Sequence, residues 1–204
     1  MAANLLAPNG LSFARNRLSS AGDYAANKFS IKRGYASNIG RGDLVKTGTS
    51  SSQGYVVLAD TVDTSMLGVF VAVLPYYDQS LQGLGHGLNG AYQSTANPPT
   101  GVDVECLVVD DPFATFIAQV NGGVWANSWR GQNINFASGS NGAPNASGQS
   151  TLVLDYASLN TTSNLPFRIV GPAGVVGGPQ DPNNTYPWIE VRLNTAELLN
   201  PTGI

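Results

Sequence analysis

The chain has 204 residues, enough for one large domain or two small ones. Charged residues make up only 11%, against roughly 25% in ordinary soluble domains, while Gly (24) and Pro (12) are frequent. That balance excludes long helices rich in Glu and Lys and favours strands joined by many turns. Net charge is −3 but uneven: residues 1–46 carry seven basic residues against Asp23 and Asp43, and the remainder carries only Arg130, Arg168 and Arg192 against eleven acids.

A basic N-terminal segment on an acidic body suits docking on an acidic surface. Two other readings stay open: a nucleic-acid contact, which the sparse basic residues and acidic body disfavour, and simple solvation of the charges. Cys106 is the only cysteine, so neither an intrachain disulfide nor a cysteine zinc site can form. The start, MAANLLAPNGLS, lacks the basic and apolar regions of a signal peptide. The longest apolar run, VFVAVL, is far short of the roughly 20 residues a spanning helix needs. The expectation is a protein made in a reducing cytoplasm, with no membrane partner.

In chain order, residues 1–27 show no clean periodicity and are expected to form an extended arm anchored by Leu11, Phe13, Leu18 and Tyr24. Residues 28–204 are expected to form the β-rich body. KFSIKR alternates, with Phe29 and Ile31 on one face, as a half-buried strand does. SNIGRGD follows, and its Arg41-Gly42-Asp43 triplet matches an adhesion tripeptide; two flanking glycines make a turn before a strand the plainer reading. DLVKTG and YVVLAD read as short strands, and GVFVAVLPYY as a strand buried on both faces. Residues 78–101 form a long polar loop. VDVECLVV, a turn at Asp110-Asp111-Pro112, and FATFIAQV together predict a hairpin. Residues 121–150 read as polar with one short apolar patch. TLVLDY, FRIVG and WIEVRLN close the chain as strands. The sum is an all-β barrel or sandwich in a single domain, with long polar loops.

Chemistry-bearing motifs are thin. Gly85, Gly87 and Gly90 satisfy G-x-G-x-x-G, but no strand leads into it and no helix follows. His86, the sole histidine, sits between two glycines, a poor place to fix a catalytic imidazole. Asp103 and Glu105 share a strand face, and Asp110-Asp111 follow; an oxygen-ligand cation site or protective edge charges are both compatible with them. Trp125 and Trp129 beside Arg130 suit a core or an interface better than a sugar site. No catalytic, cofactor or metal residues are assigned, and no enzymatic activity is expected.

The order of segments carries more than any one motif. NGLSFAR, NIGRGDLVKTGT, MLGVFVAVLPYYD, VECLVVDDPFATFIAQV and WIEVRLN, ending in NPTGI, together resemble tailed-phage head decoration or capsid cement proteins. The resemblance runs from about residue 8 to the C-terminus, and departs from the family pattern at LQGLGHGLNGAYQSTANPP. It implies a non-enzymatic virion protein on the capsid surface, made in the bacterial cytoplasm. Such a protein bridges major capsid protein subunits, acts as a homotrimer or homodimer, and has no nucleic-acid partner. On this reading Phe13, Arg15, Arg17, Tyr24 and Lys28 are the candidate contacts to the capsid or to sister subunits. Removing residues 1–27 is then expected to leave a folded body that no longer binds.

Overall fold

The computed structural model describes residues 5–16, 26–78, 83–85, 90–94, 102–174 and 181–199. Its strands are β1 (Ser12–Asn16), β2 (Asn27–Ile31), β3 (Leu44–Thr47), β4 (Val56–Leu58), β5 (Gly68–Val73), β6 (Tyr76–Asp78) and β7 (Gly83–Gly85). They continue with β8 (Val104–Val109), β9 (Ala114–Gln119), β10 (Asn133–Phe136), β11 (Leu154–Asn160), β12 (Phe167–Pro172) and β13 (Trp188–Leu193). The fold is all-β. A six-stranded sheet has the order β1-β9-β13-β12-β10-β11, a five-stranded sheet the order β2-β8-β5-β3-β4, and β6 pairs with β7. The two larger sheets are antiparallel throughout, and the arrangement is a sandwich rather than a closed barrel.

Alternation places the core. On β9 and β13, Phe116, Ala118, Ile189, Val191 and Leu193 turn inward and meet Leu44, Val69 and Val109 from the five-stranded sheet. Phe167, Ile169, Ile134 and Leu154 complete this main core. A second core lies on the other side of the five-stranded sheet, and all five of its strands contribute: Ile31, Val45, Val56, Phe70, and Val104, Cys106 and Val108. Tyr35 and Tyr92 pack together over it, with ring centroids 6.0 Å apart. That sheet curls so that its edge strands β2 and β4 come into contact without pairing. The strand GVFVAV therefore is buried on both sides, Val69 in one core and Phe70 and Val73 in the other.

Three sequence expectations are corrected here. The two strands flanking Asp110-Asp111-Pro112 do not form a hairpin: β8 belongs to the five-stranded sheet and β9 to the six-stranded one. The turn is a corner between sheets, which periodicity cannot distinguish from a hairpin. Residues 121–150 contain a strand, β10, whose inward Ile134 and Phe136 are masked in sequence by two asparagines, a residue type depleted in strands. Residues 12–16 are a strand of the body, since β1 pairs with β9 and Phe13 stacks edge-on against Phe116 at 6.3 Å.

β1 and β2 lie on the two sides of the corner between β8 and β9. β1 runs antiparallel to β9, with Asn16 opposite Ala114, and β2 runs antiparallel to β8, with Asn27 opposite Val108. At the bend, Asn16 Nδ2 donates to Asp111, and Asn27 Nδ2 donates to Asp110 at 2.9 and 3.1 Å. Asp110 and Asp111 thus accept hydrogen bonds at this corner.

Candidate functional site

The outer face of the six-stranded sheet carries a row of arginines. Register sets Arg15 on β1 opposite Thr115 on β9, Thr115 opposite Arg192 on β13, and Arg192 opposite Arg168 on β12. Directly opposed residues of antiparallel strands share a face, so the row is continuous across four strands. With strands about 4.8 Å apart, it spans roughly 14 Å. Arg130, from the turn before β10, joins it: these four arginines line one recess of about 470 Å³ together with Gly131, Ile169 and Val170.

Two guanidiniums lie over the backbone of glycines, at a distance that would be ordinary contact for a Cβ. A Cβ at Gly171 would fall 3.5 Å from Arg130 Nη2, and one at Gly131 would fall 3.8 Å from Arg168 Nη2. Thr115 is fully buried within the row, and its hydroxyl donates to the Arg15 carbonyl at 3.1 Å.

Among the described residues, one carboxylate pairs with this row. Arg15 Nε and Nη2 donate to the two oxygens of Glu190 at 2.8 and 2.7 Å, a fork-to-fork pair that raises the arginine's pKa. Arg15 is about half exposed in this pair and Glu190 mostly covered (56% and 12% of the side chain). Among the described residues, no carboxylate lies within ion-pair distance of Arg130, Arg168 or Arg192. Arg130 and Arg168 are exposed, and Arg192 is half-buried.

Of the residues singled out from sequence, the structure joins only Arg15 to this row. Phe13, one register step away, is committed to packing on Phe116. Lys28 lies on the other sheet, where it pairs with Glu105 at 2.6 Å. Arg17 and Tyr24 lie outside the described residues. Arg130, Arg168 and Arg192 had appeared only as the scattered basic residues of an acidic body. The solvent-facing positions of Arg168 in FRIV and Arg192 in WIEVRL are readable from alternation, whereas the turn position of Arg130 is not; their adjacency depends on sheet order.

The other candidates are occupied by structure. Asp43 of the RGD triplet is completely buried, so its carboxylate cannot meet a receptor. It accepts hydrogen bonds from Gly40 N at 2.6 Å, from Ser150 Oγ and from the Gly142 amide, and burial pushes its pKa from 3.8 up to about 6. Arg41 lines a cleft between the sheets with Leu11, Ser12, Phe13, Val69, Phe116 and Gln149. Asp103 accepts from Arg33 N at 3.0 Å and from the Tyr55 hydroxyl at 2.9 Å, and the Arg33 amide holds its pKa below the usual range. No group of three or more His, Cys, Asp or Glu side chains among the described residues is arranged to hold a metal. Trp129 is in the core, edge-on to Trp125 with ring centroids 5.7 Å apart and tilted against Tyr156 at 5.4 Å. His86 and Gly87 lie outside the described residues.

Comparison with protein families, curated proteins and solved structures found no match.

Proposed function

We propose that the protein is a non-enzymatic virion component, a capsid cement protein that binds the assembled phage shell and bridges major capsid protein subunits. The observation that carries this reading is the arginine row: a recess on a sheet face that gathers four arginines, of which only Arg15 has an ion-paired carboxylate among the described residues, on a protein of net charge −3. Such a face suits docking on an acidic protein surface rather than turnover of a small substrate. The segment order, which resembles decoration proteins along nearly the whole chain, supports the same reading. A ligand that binds only the assembled lattice stabilises it by mass action, and many copies act together through shell symmetry. A homotrimer or homodimer fits such symmetry.

The test is localisation and stoichiometry. Cement predicts copies in the hundreds per head, in simple ratio to the major capsid protein, and co-sedimentation with assembled shells but not with free subunits. A few copies at one vertex would point instead to a tail or baseplate component. Absence from purified particles would overturn the virion reading altogether.

A further inference from the structure

We infer that Arg130, Arg168 and Arg192 form a binding site for an acidic peptide segment, one bearing two or more Asp or Glu side chains, on the partner protein. The inference rests on the cement reading for the identity of that partner as a capsid subunit. The site itself stands on geometry.

Arg192 and Arg168 are directly opposed across an antiparallel pair. Like charges in that position repel and weaken the sheet unless a counter-charge spans them. Arg130 adds a third cation to the same recess. Within the described residues none of the three has a carboxylate partner, although Arg15 in the same row has one. The Arg15–Glu190 fork thus shows in place what the rest of the row lacks. A planar guanidinium takes a carboxylate in two parallel hydrogen bonds, which an ammonium cannot do.

Dimensions favour a peptide. An extended segment presents same-face side chains about 6.8 Å apart, a spacing close to the single strand separation, about 4.8 Å, between Arg168 and Arg192, and Arg130 lines the same recess. Two carboxylates against three guanidiniums leave no crowding of negative charge. A nucleic acid would have to run past the row over a body in which, beyond residue 46, Arg130, Arg168 and Arg192 face eleven acids. The protein's remaining negative charge opposes a long polyanion but not a short acidic segment.

The test uses the full-length protein and a fluorescent peptide containing a Glu-Xaa-Glu-Xaa-Glu run, followed by anisotropy. Parallel titrations use single-stranded oligonucleotide and inorganic phosphate. Saturable peptide binding is expected, weakened roughly tenfold or more by Arg168→Glu or Arg192→Glu, as loss of a bidentate charged contact implies. Arg33→Glu, the same charge change on the other sheet, is expected to leave it unchanged. Circular dichroism and melting profiles check that each variant is folded, and Arg168→Lys gives a milder variant should the reversal unfold the chain. Several results would overturn the inference: no saturable peptide binding, equal weakening by Arg33→Glu, or tighter binding of the oligonucleotide than of the peptide. So would concentration-dependent self-association abolished by the same arginine variants, which would make a second copy the occupant. If peptide binding fails while the protein still co-sediments with capsids, the inference falls and the cement reading stands. If the peptide binds through these arginines but capsids are not bound, the reverse holds.

Discussion

Asp43 is a buried acid with three hydrogen-bond donors around it, and its environment has a measurable consequence. Its pKa rises from 3.8 in the open chain to about 6 when folded, because burial penalises the charged form more than the donors from Ser150, Gly40 and Gly142 favour it. The folded state therefore holds a proton that the unfolded state has lost between those values. Stability from this group is fully present below pH ~4 and declines as pH rises to ~6, by up to about 3 kcal/mol for a shift near two units. Asp43→Asn is expected to flatten that part of the stability profile relative to wild type. Urea melts of both proteins at pH 4.5 and 7 would show it, and parallel profiles would refute the burial argument. Cys106 has an analogous fate: burial pushes the thiol up to about 12. It is expected to react with a thiol reagent only under unfolding conditions, on the timescale of unfolding. Modification in the native protein within seconds would contradict the packed second core.

The RGD letters illustrate what single residues conceal. Gly42 has φ of 89°, and its amide donates to Phe70 O while its carbonyl accepts from Leu11 N, both at 2.9 Å. The turn reading was legible in the two flanking glycines. That the aspartate would be a hub joining residues 40, 142 and 150 was not, because its partners are up to about a hundred positions away.

At the scale of elements, strands with clean alternation were legible: KFSIKR, VDVECLVV, FRIVG and WIEVRLN all appear close to their expected places. What local pattern cannot carry is which strand pairs with which. The Asp110-Asp111-Pro112 corner failed on that account, whereas β10 was hidden by the two asparagines that alternate with its inward residues. Gly68, which opens β5, shows how close the pairing is: a Cβ there would lie 2.2 Å from the Val109 carbonyl oxygen. Backbone cannot move aside as a flexible side chain does. Gly68→Ala is therefore expected to destabilise the fold by about 3 kcal/mol or more, read as a lowered denaturant midpoint. A near-neutral effect would mean that β5 and β8 can separate without loss.

For the whole molecule, the arginine row is a product of topology. Its four members come from residues 15, 130, 168 and 192, and each looks unremarkable in its own segment. Only the order β1-β9-β13-β12 sets three of them in line. The scaffold was thus readable from composition and alternation, whereas the candidate site required knowing which strands are neighbours. The same topology revises the expected effect of truncation. Removing residues 1–27 would strip β1, leave β9 as an unpaired edge, and take Leu11 out of the main core. The truncated chain is expected to melt at a lower temperature than the full chain, so lost capsid binding alone would be ambiguous. Arg168→Glu and Arg192→Glu separate docking from folding. An unchanged melting profile for the truncation would show that β1 adds nothing to the body.

The braced corner between β8 and β9 has a mechanical meaning. Where β8 passes from one sheet to β9 in the other, the β1 and β2 strands of the N-terminal segment pair with both sides of the bend, and Asn16 and Asn27 are pinned to its two aspartates. A force that pries the sheets apart at this corner meets the β8–β9 crossing, and the β1–β9 and β2–β8 ladders flank it on its two sides. Hydrogen bonds in such ladders must yield several at once in shear, not one after another as in a zipper. Separating the two sheets at this corner therefore requires breaking ladder bonds on both sides of the bend together with the two asparagine–aspartate contacts.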